Sequence, residues 1–155
     1  MTGERYGQLT FPALLRGARQ TYGSAITAAL SGAGFDDVPR NGGYVIGGIA
    51  GTGAALGEII TRLGVSKQAA GQLVDTLVVR GYLARAVDPE DRRRLTVTLT
   101  SRGQAAAQVI RAAVVRIDAD LLRRVGPESV AGARTVLAAL MAAGDGERQR
   151  EEPTP

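Results

Sequence analysis

Three consecutive arginines follow an acidic turn at residues 88–94, which read DPEDRRR. Guanidinium groups crowded at one turn repel each other unless a polyanion or nearby carboxylates neutralise them. Asp91 is spaced so that its carboxylate can orient the guanidinium of Arg93. An arginine held out at a hairpin tip can enter the narrow, negative minor groove of DNA, with Arg92 and Arg94 on the flanking phosphates. The stretch therefore predicts a DNA-binding wing.

A second set of polar residues lies on the helix that is predicted over residues 67–80. At about 100° per residue, one side of this helix collects the apolar side chains of Ala70, Leu73, Val74 and Leu77. The opposite side collects Gln68, Gly71, Gln72, Asp75 and Val79. Gln68 and Gln72 lie one turn apart, and a glutamine amide can form a bidentate pair with adenine N6 and N7. The pattern predicts a helix that offers these amides to the major groove.

The beginning of the same helix has the residue types of a phosphate site. Ser66 is the expected N-cap, and Lys67 follows it, at the helix end whose free amide groups favour a phosphate. Two residues of the polar side each allow two interpretations. Gly71 either lets the backbone approach the base edges closely or forgoes a contact there, and Asp75 either accepts from a cytosine amine or pairs with a neighbouring arginine.

The elements that position these residues follow from apolar periodicity and turn signals. Thr10 is the expected N-cap of a first helix that ends near residue 34, and the glycine-rich residues 42–57 predict a short, weak helix. A further helix over Leu56–Leu63 precedes the tight turn GVS. After Gly81, which ends the groove-facing helix, the segments YLARAV and RLTVTLT are predicted to form two strands joined by the Pro-containing turn.

A long C-terminal helix is expected after Thr100 or Ser101, with a break at VGPES and a final helix over about 128–142. The predicted fold is mainly α with a small β-hairpin, a winged helix-turn-helix flanked by N- and C-terminal dimerisation helices. The chain, residues 1–155, is interpreted as a single domain. Its predicted parts are a helical dimerisation region over 10–34 and 101–142, a winged helix-turn-helix DNA-binding lobe over 40–100, and a disordered tail over 143–155.

The composition excludes several classes of chemistry. The chain contains no cysteine and no histidine, which removes thiolates and imidazoles as nucleophiles, general bases and metal ligands. The remaining residue types show no nucleophile–base arrangement, so we expect no enzyme, no cofactor and no metal. The N-terminus lacks the pattern of a signal peptide, and no apolar stretch approaches the roughly 20 residues that span a bilayer. We expect a cytoplasmic protein without membrane contact.

The positive charge is concentrated in one segment. Residues 61–103 hold eight basic and four acidic side chains, a net charge of +4, whereas the remainder of the chain balances. A local positive excess on a neutral body suits a surface that binds a polyanion. From the charge alone, however, a solvated charged surface is the favoured interpretation.

The segment LGVSKQAAGQLVDTLVVRGYLARAVDPEDRRRLTVTLTSRG resembles the winged helix-turn-helix of the MarR family of bacterial transcription regulators. Its specific part is the D-x-R core of the wing, here Asp91-Arg92-Arg93. The segment VPRNGGYVIGGI also resembles the corresponding part of actinobacterial members, so that the similarity covers roughly residues 36–104. By motif, Ser66, Lys67, Gln68 and Gln72 match the groove-reading helix, and Arg93 with Asp91 matches the wing.

The resemblance implies an obligate homodimer on a near-palindromic operator, usually a repressor that small, often phenolic or anionic ligands release. A dimer also follows from contact number, because one short helix and one wing make too few contacts for typical specific affinity, whereas a two-fold pair doubles them. Long apolar stripes on the flanking helices would likewise be exposed in a monomer.

No motif fixes a ligand pocket. The aromatic candidates to line one between the dimer helices and the DNA-binding lobe are Phe11, Tyr22, Phe35 and Tyr44. Because the chain has so few aromatic residues, ordinary core packing is the favoured role for them. We therefore expect a sequence-specific repressor whose partners are double-stranded DNA, a second copy of the chain and a small aromatic or anionic effector. The alternative is a winged-helix module for protein contact or non-specific DNA binding, without a dedicated operator.

Overall fold

The computed structural model describes residues 5–52, 56–87 and 95–151. The described elements are, in chain order, helices α1 (Phe11–Gly32), α2 (Gly42–Thr52), α3 (Leu56–Leu63) and α4 (Lys67–Val79), strands β1 (Leu83–Val87) and β2 (Leu95–Leu99), and helix α5 (Ser101–Glu151). A helix-turn-helix followed by a two-stranded antiparallel hairpin and a long helix is a winged helix-turn-helix. The predicted fold class is confirmed.

The chain forms two compact units, one that ends at Val115 and one that begins at Arg116. The division falls within α5 and not at a linker between predicted parts. The assignment of residues 10–34 and 101–142 to dimerisation, and of 40–100 to DNA binding, concerns function and stays a prediction.

Helix α1 begins and ends where the sequence predicts. Thr10 is its N-cap in an extended conformation, and a proline occupies the first turn. At the other end Gly34 adopts a left-handed φ of +83°, while the amides of Gly34 and Phe35 donate to the carbonyls of Ser31 and Leu30 at 3.0 and 2.9 Å. This pair of bonds is a Schellman motif, which satisfies carbonyls that the helix end would leave free.

The core of the first unit collects apolar side chains from every described element around α2. Its largest fully buried members are Tyr82, Ile46, Leu77, Leu83 and Val45. The glycines of α2 let neighbouring helices approach closely, since a β-carbon at Gly43 would lie 3.0 Å from Ile26 and one at Gly48 would lie 3.0 Å from Ile59. The short helix expected in this region is confirmed, and packing against these isoleucines explains why it forms despite its glycines.

The hairpin has a simple antiparallel register that runs from the pair Leu83–Leu99 to the pair Val87–Leu95. Both predicted strands are therefore confirmed. The residues between the paired ends, 88–94, lie outside the described part of the chain.

Helix α5 contains the predicted break. Gly126 has φ 79° and ψ 165°, which is not helical, and Pro127 follows it. The helix then continues to Glu151, beyond the predicted end at residue 142, so the prediction of a disordered tail is wrong for residues 143–151. That prediction used low hydrophobicity, which limits tertiary contacts, whereas the Glu, Arg and Gln residues of 147–151 have high intrinsic helix propensity. Residues 152–155 lie outside the described chain.

Two general features bear on function. Among the described residues, no helix combines the length and the apolar character that a bilayer crossing requires. Over the same described ranges, no group of three or more acidic side chains is placed to hold a metal ion.

Candidate nucleic-acid interface

Helix α4 is oriented by its cap and by its apolar side. Ser66 is the N-cap, and its Oγ accepts a hydrogen bond from the amide of Ala69 at 3.2 Å, as the sequence predicts. The turn before it contains Gly64 at a φ of +65°. Ala70, Val74 and Leu77 are buried in the core, and Leu73 packs against it. The opposite side of α4 is thereby directed to solvent.

That solvent-facing side carries the residues predicted to read DNA. Lys67, Gln68 and Gln72 are all exposed, with the two amides one turn apart. Gly71 between them is exposed too, and a β-carbon there would meet nothing within 4 Å. Packing inside this chain therefore does not require a glycine at position 71. The structure brings Ser66, Lys67, Gln68 and Gln72 together on one accessible surface, and their contacts with DNA remain predictions.

Asp75 makes an ion pair with Arg85. The Arg85 Nη2 donates to the Asp75 Oδ1, and both side chains are about half exposed. Of the two interpretations of Asp75, pairing with a neighbouring arginine is therefore the one observed. An exposed pair of this kind contributes only about 0–1 kcal/mol. Its consequence is geometric, since it connects the solvent-facing side of α4 to strand β1.

The wing itself is only partly described. Strands β1 and β2 hold its base in register, but Asp91, Arg92, Arg93 and Arg94 lie outside the described residues. The orienting role of Asp91 and the groove and phosphate contacts of the three arginines stay predictions.

A cluster of four residues, which we call the Asp37 cluster, lies behind α4 and β1. The Asp37 Oδ1 accepts from the Tyr82 hydroxyl at 2.5 Å and from the Arg102 Nη2 at 2.8 Å. Its main-chain carbonyl accepts from the Arg80 guanidinium. The Arg102 guanidinium also lies 4.7 Å from the Tyr82 ring centroid, a cation–π distance.

The contacts of the Asp37 cluster shift the pKa values of Asp37, Tyr82 and Arg102. The Tyr82 hydroxyl, by its hydrogen bond, and the Arg102 charge lower the pKa of Asp37. Burial and the hydrogen bond to Asp37 raise the pKa of Tyr82. At neutral pH the carboxylate is therefore ionised and the phenol protonated, which is the pairing that keeps the hydrogen bond.

Sequence reasoning missed these contacts and misjudged two of the charges. It counted Arg85 and Arg102 in the positive excess available to a polyanion, whereas each pairs with a carboxylate of this chain. Arg85 lies only ten residues from Asp75 in sequence. The pairing of these two opposite charges could therefore have been predicted from their short separation. Arg102 lies 65 residues from Asp37, and no local pattern connects them.

The first unit also contains an open cleft of about 1230 Å³. Phe35 and Tyr44 line it, but Phe11 and Tyr22 do not, so the structure brings together two of the four aromatic candidates. Phe11 is half exposed at the beginning of α1, and Tyr22 is partly buried elsewhere. The cleft lining also includes three arginines that the sequence analysis did not assign, Arg16, Arg19 and Arg40.

Tyr44 is held in place in this cleft by α1. Its hydroxyl donates to the main-chain carbonyl of Arg19 at 3.1 Å. The Arg19 guanidinium lies 5.2 Å from the centroid of the Tyr44 ring. The cleft thus combines an aromatic surface with a net positive charge, since its lining contains three arginines and one carboxylate, that of Asp36.

The part of the chain that contains α4 and β1 is similar to known proteins. Residues 37–94 match the model of the MarR family, which spans α2 to the arginines after β1. The HTH-type transcriptional regulator PetP of Rhodobacter capsulatus is 34% identical over 90 residues, which make up 57% of this chain and 54% of that relative. The chain thus covers about half the length of this curated relative.

Solved structures share the fold across most of the chain. The MepR–DNA complex of S. aureus has a TM-score of 0.69 at 16% identity, covering 88% of this chain and 97% of that one. A mutant MarR of E. coli complexed with operator DNA has a TM-score of 0.65 at 21% identity, covering 87% and 96%. These similarities show a MarR-like winged-helix fold.

Proposed function

We propose that this protein is a sequence-specific transcriptional regulator of the MarR type that binds double-stranded DNA as a homodimer. The observation that carries the proposal is the exposed polar side of α4, opposite a buried apolar side and next to the base of the wing. The family match over residues 37–94 supports it, as do similar folds in two proteins whose structures contain DNA. The segment VPRNGGYVIGGI supports the narrower assignment to actinobacterial-type members.

The residue roles follow from chemistry and position. Gln68 and Gln72 pair with adenine edges in the major groove, and Ser66 and Lys67 contact phosphate at the N-terminus of α4. In the wing, Arg93 enters the minor groove with Asp91 orienting it, while Arg92 and Arg94 contact phosphates. The operator is palindromic because a two-fold dimer presents these groups twice. Catalysis has no part in this function, which is carried out in the cytoplasm.

Selection from a pool of random duplexes tests the proposal. The purified chain should enrich an inverted repeat whose half-sites lie about one helical turn apart. A protein-interaction module or a non-specific DNA-binding protein, the alternative function, would recover no common sequence. Arg93→Ala should then weaken binding to the enriched duplex, and wild-type affinity in that variant would remove the wing from the proposal.

Release by a small ligand is the second part of the proposed function. The cleft lined by Phe35, Tyr44 and three arginines suits an aromatic anion, because it offers ring contacts together with positive charge. Such a ligand would make the protein a repressor that leaves its operator when the cleft is filled. Benzoate and hydroxybenzoates, added to the complex with the enriched duplex, should release the DNA from the wild type more readily than from Arg40→Ala. No release by any of these acids would argue against an aromatic effector.

A further inference from the structure

The C-terminal end of α4 is fixed by hydrogen bonds that lead directly into the Asp37 cluster. Arg80 is the C-cap, Gly81 has a left-handed φ of +74°, and the Gly81 and Tyr82 amides donate to the carbonyls of Val78 and Leu77, each at 2.9 Å. This Schellman motif sends the chain from α4 straight into Tyr82, which precedes β1. The position of Tyr82 therefore sets where α4 ends and where the wing begins.

Tyr82 is held in place by hydrogen bonds of both its side chain and its main chain. Its side chain is fully buried, and its hydroxyl donates to the Asp37 carboxylate. Its main-chain carbonyl accepts from the Thr100 amide at 3.1 Å and from the Thr100 hydroxyl at 3.2 Å. Since Thr100 is the residue before α5, Tyr82 connects the end of α4 to the beginning of α5.

Asp37 is the acceptor on which this arrangement converges. Besides the Tyr82 hydroxyl, it accepts from Arg102 in the first turn of α5 and, through its carbonyl, from Arg80 at the end of α4. A hydrogen bond to an ionised group is roughly twice as strong as one between neutral groups. Removing the carboxylate therefore removes the acceptor of both the Tyr82 hydroxyl and Arg102, whereas the Arg80 bond to the main-chain carbonyl remains.

We infer that Asp37 is a positioning residue for DNA recognition: through Tyr82 and Arg80 it fixes the angle between α4 and the wing strand. The inference rests on the proposed function, because this angle matters only if α4 and the wing contact one duplex together. Asp37 itself need not touch DNA. Its loss would misplace two reading elements relative to each other while leaving both of them folded.

Amide hydrogen exchange tests the positioning directly, without DNA. In the chain of residues 1–155, Asp37→Ala and Tyr82→Phe should speed exchange of the Arg80, Gly81 and Tyr82 amides about tenfold, as loss of one charge-assisted hydrogen bond implies. Asp36→Ala is the matched control, since it removes the adjacent carboxylate, which accepts from Ser31 instead. Asp37→Asn, which keeps an acceptor oxygen, should restore part of the protection. Unchanged exchange in Asp37→Ala would overturn the inference.

The second readout is specificity, which a merely stabilising role would not change. The affinity ratio between the enriched duplex and a random duplex of equal length should fall about tenfold in Asp37→Ala and Tyr82→Phe and stay at the wild-type value in Asp36→Ala. A lower melting temperature with an unchanged ratio would contradict positioning. If Asp37→Ala does not fold, Tyr82→Phe, which removes only the hydroxyl, decides. A wild-type chain that enriches no duplex would refute the proposed function, and the exchange rates would still decide what Asp37 does to α4.

Discussion

At the residue scale, the proposed function assigns base recognition to Gln68 and Gln72. Both side chains are exposed, so replacing either one removes no core contact. Gln72→Ala should lose about 1–3 kcal/mol of discrimination at one base position, with an unfolding free energy within about 0.5 kcal/mol of wild type. Binding to duplexes with single-base substitutions measures the loss.

Lys67→Ala is the matched control for Gln72→Ala. It should weaken binding to all duplexes alike and reduce the slope of log affinity against log salt by about one. Equal discrimination in Gln72→Ala and the wild type would show that the groove-reading assignment is wrong.

The Asp37 cluster predicts a pH dependence of stability. The pKa of Asp37 is lowered in the folded chain. Its contribution to the free energy of unfolding is therefore complete above the pKa of the unfolded chain, near 3.9, and is lost as the pH falls through the pKa of the folded chain. The pKa of Tyr82 is raised, so its contribution is complete below the unfolded value near 10 and is lost as the pH rises through the folded value.

Urea unfolding at a series of pH values measures both contributions. In Asp37→Asn, the decrease in the free energy of unfolding at low pH should be smaller by the contribution of Asp37. The pKa of Asp120 is also lowered by its arginine neighbours, so Asp120 should contribute in the variant and in the wild type alike. Identical pH profiles for the two chains would contradict the assigned contacts.

The sequence predicted those residue contacts that depend on neighbours a few positions away along the chain. The Ser66 cap and the two sides of α4 depend on residues three and four positions apart, a spacing that a helix fixes. The Asp37 cluster joins residues 45 and 65 positions apart. Its members carry no spacing signal, because the core that brings them together is assembled from five separate helices and a hairpin.

At the scale of elements, Gly103 is required by close approach. A β-carbon at this position would lie 2.1 Å from the Tyr82 carbonyl oxygen, a backbone atom. Gly103→Ala should therefore destabilise the chain by more than about 1 kcal/mol, because α5 must shift away from the turn before β1.

Gly17→Ala is the contrasting variant for this element. Gly17 lies inside α1 with nothing within 4 Å of the added atom, so alanine should stabilise the helix by about 0.5–1 kcal/mol. Chemical denaturation of both variants checks the pair. A neutral Gly103→Ala would show that α5 does not pack so closely on Tyr82.

Elements were predictable where turn chemistry marked their ends. Gly34, Gly81 and Gly126 all adopt the left-handed φ, and each lies where the sequence placed a helix end or break. The end of α5 was not predictable in this way. Its last residues have no apolar pattern, and only their helix propensity, a weak signal, favours the structure that is observed.

At the scale of the whole molecule, exposed apolar side chains predict a dimer. In the first unit they include Tyr6, Leu9, Phe11 and Leu14, and in the second they include Leu121, Leu122, Val125, Val136, Leu137, Leu140 and Met141. Their contact with a second copy would remove apolar surface from water. Light scattering after size exclusion should give twice the mass of the chain.

Leu137→Glu with Leu140→Glu should shift that mass towards a monomer. Val79→Glu is the control, because Val79 is also apolar and exposed, at 85%, but lies on α4. A wild-type monomer, or a dimer unaffected by both glutamates, would remove these residues of α5 from the proposed interface.

The proposed function requires that the exposed side of α4 and the wing bind DNA through phosphate contacts made by both subunits. An anisotropy titration of the enriched duplex at several salt concentrations tests it most directly. If a dimer makes about six to ten phosphate contacts, affinity should fall by roughly 10³ to 10⁵ between about 50 and 200 mM salt. An affinity that scarcely changes over this range would contradict the account.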